Sequence, residues 1–239
     1  MPQHDLIHEH VRFGQDDRIA AILSYPAEGE PALAVLICSP HPNFGGDMEN
    51  NVITALAERL AVDAITLRFD YRGVGESHID LPPALSAFDY WENVEETLDY
   101  TDALLDTAVA VQELSELSAG RPIVAVGYSF GSIMATLLGV KDSRIIAMVG
   151  IAPPLKRFAF AHLADCKKPC LLVSGRSDFV FDPNVSAAVI KSAGPNLTCE
   201  QPDADHFFIG QEADLADNVA RYVIRSTELK HTAGGDGPK

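Results

Sequence analysis

Five residues near the middle of the chain, Gly127-Tyr128-Ser129-Phe130-Gly131, have the types and spacing of a nucleophile held in a tight turn. They follow the apolar run Ile123–Val126 and precede a small-residue stretch with helical spacing, so the sequence predicts strand, sharp turn and helix. Such a turn strains the serine backbone and lifts its hydroxyl above the sheet edge. A glycine on either side is required because a side chain there would crowd the turn. A serine hydroxyl is a weak nucleophile at its own pKa, so it needs a base, and the base needs an acid to orient it. Both partners should lie in loops after later strands, at the same edge of the sheet. Asp178 follows the short apolar run Leu171–Val173, with Asp182 as a rival four residues on. His206 follows Leu197–Gln201 and is the one histidine of eight placed closely after the last strand.

An acyl-transfer site also needs donors for a developing oxyanion. The N–H of Phe130, the residue after the serine, is one candidate. A second should come from the loop Ser39-Pro40-His41-Pro42-Asn43-Phe44-Gly45-Gly46-Asp47, whose prolines and glycines suit a fixed backbone aimed at a ligand. The N–H of Asn43 is expected there, with Phe44 next, and the His41 imidazole is expected to brace the loop. Asp70-Tyr71-Arg72-Gly73-Val74-Gly75-Glu76-Ser77 lacks the third glycine of a dinucleotide-binding loop, because His78 stands in its place. It reads as a structural turn.

The elements that must position these residues can be read from hydrophobic period. His8–Phe13 and Ile19–Tyr25 flank a turn and predict a hairpin. After them, apolar strand-like runs (33–38, 64–69, 123–127, 145–152, 170–173, 197–201) alternate with helical stretches (50–61, 91–117, 132–140, 183–192, 215–224). Strands alternating with helices imply βαβ crossovers and a mostly parallel sheet with helices on both faces. Residues 1–230 are expected to form a single α/β domain, and 231–239 a disordered tail. Two segments, 79–91 and 153–163, are short enough to give only a minimal cap.

Composition excludes several function classes. At 239 residues, 47% hydrophobic and 22% charged, the chain reads as an ordinary globular protein. Eighteen Lys plus Arg against thirty-four Asp plus Glu give a net charge of −16, which argues against nucleic-acid partners. No apolar run is long enough for a membrane span. Four sparse cysteines and an N-terminus without basic or apolar regions predict a cytoplasmic protein. From Gly73 to Gly120 there are eleven acids and no Lys or Arg. Six of these acids, Glu92, Glu95, Glu96, Asp99, Asp102 and Asp106, read as one solvated helix face.

Together, His41–Gly46, Arg68–Ser77, Gly127–Gly131, Gly175–Asp178 and Asp205–Phe208 resemble the α/β-hydrolase superfamily. The likeness is strongest to its small, nearly capless bacterial serine hydrolases, and extends more distantly to dienelactone-hydrolase-like enzymes. Dienelactone hydrolases proper use a cysteine nucleophile, whereas the elbow residue here is Ser129. The resemblance implies a serine hydrolase cleaving a carboxylic ester or thioester through an acyl-enzyme, with Ser129, Asp178 and His206 as its triad. It implies a small-molecule acyl substrate and no metal or organic cofactor. An acyltransferase or perhydrolase with the same triad, or a binding protein on the same fold, stands as the alternative. Oligomeric state is left open.

Overall fold

The computed structural model describes residues 5–164 and 166–233, the last seven of these by backbone alone. Eight strands form one sheet in the order β1-β2-β4-β3-β5-β6-β7-β8. β1 (Leu6–Phe13) and β2 (Ile19–Pro26) pair antiparallel, and β2 joins β4 (Ile65–Phe69) antiparallel. β3 (Ala34–Cys38), β4, β5 (Ile123–Tyr128), β6 (Ile145–Ile151), β7 (Cys170–Val173) and β8 (Leu197–Glu200) run parallel. The predicted fold class, a mostly parallel α/β sheet begun by a hairpin, is the observed one.

Every residue of β3, β5, β6 and β7 is buried, as the unbroken apolar runs require. Alternate residues serve different faces. Val35 and Ile37 pack with α1 (Asn51–Leu60) and α6 (Glu212–Ala233), through Val52, Leu56, Val219 and Val223. Leu36 and Cys38 face the other layer, built by α3 (Thr101–Leu117), α4 (Phe130–Gly139) and α5 (Pro183–Ala193). The strand order reverses at β3: β4 lies on one side of it and β5 on the other. A crevice opens at the carboxyl ends of strands where connections diverge in this way. The loops after β3 and β5 both end there.

The acidic stretch expected as one helix over 91–117 is two. α2 (Ala87–Thr97) starts earlier, behind a capping box in which Ser86 and Asp89 exchange hydrogen bonds. It stops at Leu98, whose φ of 56° is left-handed, and Asp99 accepts from the Thr101 N–H to begin α3. Local side-chain bonds of this kind compete with helix continuation. The break turns part of the acidic face inward. Asp106 is buried and binds the Arg72 guanidinium at 2.7 Å, and Asp102 pairs with Arg72 at 2.9 Å. At the other end, α6 carries the helix through 231–233, and residues 234–239 of the expected tail lie outside the described residues.

Candidate active site

Ser129 stands between β5 and α4 with φ 52° and ψ −114°, a conformation that costs a non-glycine residue on the order of 1–3 kcal/mol. The turn is held by the Ser129 N–H, which donates to the Ile151 carbonyl at 2.8 Å. Two close approaches explain the flanking glycines. A Cβ on Gly127 would lie 2.0 Å from the Gly131 carbonyl oxygen, and one on Gly131 would lie 2.1 Å from that of Cys38. The second approach brings the start of α4 against the end of β3. Phe130 is the first residue of α4, so its N–H has no helical acceptor a turn back.

Asp178 and His206, twenty-eight residues apart, are brought together. Nδ1 of His206 lies 3.0 Å from each carboxylate oxygen of Asp178, and both side chains are buried. Their loops are tied by backbone bonds from Arg176 to Pro202 and from Ser177 to Ala204. Gly175 allows this, since a Cβ there would lie 2.3 Å from the Ala204 oxygen. The Val180 N–H fixes the Asp178 carboxylate at 2.8 Å, and the Tyr128 hydroxyl donates to the His206 carbonyl at 3.0 Å. Tyr128 was not singled out in the sequence, although it adjoins Ser129. The rival Asp182 is engaged elsewhere: it caps α5, accepting from the Asn184 and Val185 N–H groups.

The loop after β3 uses N–H groups of its own to hold itself. The Asn43 N–H donates to Nδ1 of His41 at 3.2 Å, and the Phe44 N–H to the His41 carbonyl at 2.9 Å. Asn43 does not line the cavity beside Ser129, whereas Pro40, His41 and Phe44 do. Proline has no N–H, so between Pro40 and Pro42 the single donor is that of His41, and no hydrogen bond of the described residues uses it. The His41 ring braces the loop: burial pushes its pKa down to about 4, Arg157 adds to this, and the neutral Nδ1 accepts.

The turn that resembled a nucleotide loop is a tie between elements. Asp70 accepts from the Met48 N–H at 2.7 Å, and a Cβ on Gly75 would lie 2.2 Å from its carboxylate. Burial raises the Asp70 pKa to about 6, with Asp47 and Glu49 adding to the rise. The raised folded value means that its stabilising contribution is complete below about pH 4 and is lost as pH rises through 6. Asp70→Asn is therefore expected to gain on the wild type by on the order of 1–2 kcal/mol between pH 4.5 and 7.5. The readout is the Tm difference between the two proteins at each pH, in which the titration of groups not coupled to Asp70 cancels. A difference that stays flat with pH counts against a buried, titrating Asp70.

The cavity at Ser129 has a volume of about 390 Å³. Exposed Phe44, Phe179 and Phe207 stand at its mouth. The rings within fall into two groups. His206 neighbours Phe179, Phe207 and Tyr128 at centroid distances of 4.9, 5.4 and 5.9 Å. Phe130 neighbours His41 and Tyr100 at 5.2 and 5.4 Å. Neither candidate cap forms a lid over these groups. Trp91 is buried and donates to the Arg72 carbonyl, so it anchors α2 on the core. Leu155, Phe160 and Leu163 are also core residues, and it is Pro154 and Arg157 of that segment that reach the cavity. Cys38 offers no rival nucleophile, because burial pushes its thiol up to about 12.

A family model described as the alpha/beta hydrolase family matches residues 35–165, more than half of the chain. The chain belongs to the alpha/beta hydrolase family. Among solved structures, an alpha-beta serine hydrolase homologue from Coxiella burnetii is 24% identical, with a TM-score of 0.75 over 90% of this chain and 96% of that one. A serine hydrolase from Xanthomonas campestris, described as without a lid, is 20% identical, with a TM-score of 0.73 over 94% and 96%. An esterase from Pyrococcus furiosus is 14% identical, with a TM-score of 0.67 over 93% and 92%. At these identities the likeness is one of fold. No curated protein matches the chain. The family supports a hydrolase, and no helix among the described residues is long and apolar enough to cross a membrane.

Proposed function

We propose that this member of the family is a serine hydrolase that cleaves carboxylic esters or thioesters through an acyl-enzyme on Ser129. One observation carries the reading. Ser129 and His206 line the same cavity, and Asp178 grips the far nitrogen of His206 with both oxygens.

That grip fixes the tautomer. With Nδ1–H donating to Asp178, Nε2 is the basic nitrogen of the neutral ring. Nε2 accepts the Ser129 proton as Oγ attacks the acyl carbon, and Asp178 stabilises the imidazolium that results. Negative charge then develops on the former carbonyl oxygen. The N–H of Phe130 holds it together with an N–H of the loop after β3, which we assign to His41 because that of Asn43 is taken by the His41 ring. The tetrahedral species collapses as His206 returns the proton to the leaving alkoxide or thiolate, which departs as alcohol or thiol. Water, activated by the same Nε2, attacks the acyl-enzyme and releases the acid and free Ser129. The open mouth gives water direct access. These steps call on no metal or organic cofactor.

A p-nitrophenyl ester series from acetate to palmitate, combined with a fluorophosphonate probe, tests the reading. Turnover with a chain-length optimum and covalent labelling at Ser129 are expected. A protein that is unlabelled and inactive across the series overturns it. Asp178→Asn lets the ring adopt the wrong tautomer while keeping its shape, so kcat should fall on the order of 10⁴-fold. A loss of less than tenfold in steady-state assays would mean that His206 is oriented by something else.

A further inference from the structure

Three polar side chains sit in the part of the cavity that the proposed chemistry leaves unused. Tyr100 is only 7% exposed and lines the cavity, and no hydrogen bond of the described residues uses its hydroxyl. Glu95, on α2, and Arg157, after β6, line the same region and pair at 2.6 Å through Oε1. The other oxygen, Oε2, has only a 3.9 Å contact with Nε2 of His41. A hydroxyl without a protein partner and a half-committed carboxylate in a pocket shared with Phe130, Ile133 and Pro154 would lose water to an apolar ligand at a desolvation cost that a hydroxylated ligand avoids.

Which arm of a substrate meets them follows from the mechanism. A general acid must stand beside the leaving group, so that group departs on the His206 side, among Phe179 and Phe207. The acyl arm points the other way, along Phe130 toward Tyr100. We propose that Tyr100 and Glu95, with Arg157 holding Glu95 in place, form a subsite for a hydroxyl at the far end of the acyl arm, so that the substrate is an ester or thioester of a hydroxylated acid. The substrate hydroxyl donates to Oε2 of Glu95 and accepts from the Tyr100 hydroxyl. A terminal carboxylate fits less well, because Arg157 is already paired with Glu95, whose charge would repel it, in a chain of net charge −16. The inference rests on the proposed hydrolase chemistry and deepens it.

Its test is a ratio measured within each preparation. Ethyl alkanoates from four to ten carbons are compared with the matched ω-hydroxyalkanoates and with the matched monoethyl dicarboxylates, as kcat/KM. At the best chain length the hydroxylated ester should win by about tenfold or more in the wild type. In Tyr100→Phe and Glu95→Gln that ratio should fall toward one, mainly through KM. Because both esters meet the same enzyme molecules, partial misfolding of a variant leaves the ratio unaffected. A wild-type ratio near one, a ratio that survives both substitutions, or a preference for the dicarboxylate monoester each overturns the subsite. Ser129-dependent turnover of the plain esters in those cases leaves the hydrolase reading intact. Absence of Ser129-dependent turnover in all three series removes the reading and the subsite together.

Discussion

Ser129→Ala is expected to lower kcat on any ester substrate by roughly 10⁴- to 10⁶-fold, the range seen when a nucleophile is removed from a group that works as a unit. The loss should not compound with removal of His206. Once the nucleophile is gone, the base has nothing to activate, so the double variant should sit close to the single one. The residual rate over water would come from the proposed Phe130 and His41 donors and from binding. Stability should change little, because Ser129 is strained by its backbone (φ 52°), which alanine inherits. Steady-state rates of both variants, with thermal melting as a control, check all three statements. Full activity in Ser129→Ala would end the acyl-enzyme account.

Gly131→Ala should have a large effect on folding. Its new Cβ would stand 2.1 Å from the Cys38 oxygen and 2.6 Å from the Ser39 oxygen. Both are backbone atoms at the end of the central strand, so neither can swing away. Relief requires α4 to lift off β3, which opens the core and separates Phe130 from the loop that carries His41. A cost on the order of 3 kcal/mol or more is expected, a Tm lower by about 6–12 °C in a chain of this size. Gly139→Ala supplies the contrast. There the new Cβ meets Met148 Sδ at 2.3 Å and Cγ at 2.4 Å, atoms not of the backbone but of a flexible side chain that can change rotamer. Melting curves of the two variants should therefore differ by several degrees, and equal melting points would mean that the close approach to β3 is not rigid.

What the sequence determined by itself is what local rules encode. Unbroken apolar runs mark strands covered on both faces, and a glycine-flanked serine after such a run marks a strand-to-helix turn, because only there is so small a residue demanded twice. The alternation of elements sets a parallel sheet, and a parallel sheet delivers the loops after β3, β5, β7 and β8 to one edge. Asp178 and His206 were legible for that reason, although the sequence left Asp182 beside Asp178.

Only the tertiary structure separated those two carboxylates, since one meets a histidine from another loop while the other caps its own helix. It also decided which N–H groups of the loop after β3 are taken up within the loop. Which N–H in a loop stays free depends on which neighbour captures the rest, and the His41 ring takes that of Asn43. The acidic stretch shows the same limit. A periodic run of carboxylates looks like one solvated face until a left-handed Leu98 breaks the helix and lets Glu95 and Asp106 find arginines on other segments. Period and steric demand are written along the chain, whereas the partner of a polar group is chosen by whatever the fold brings within 3 Å of it.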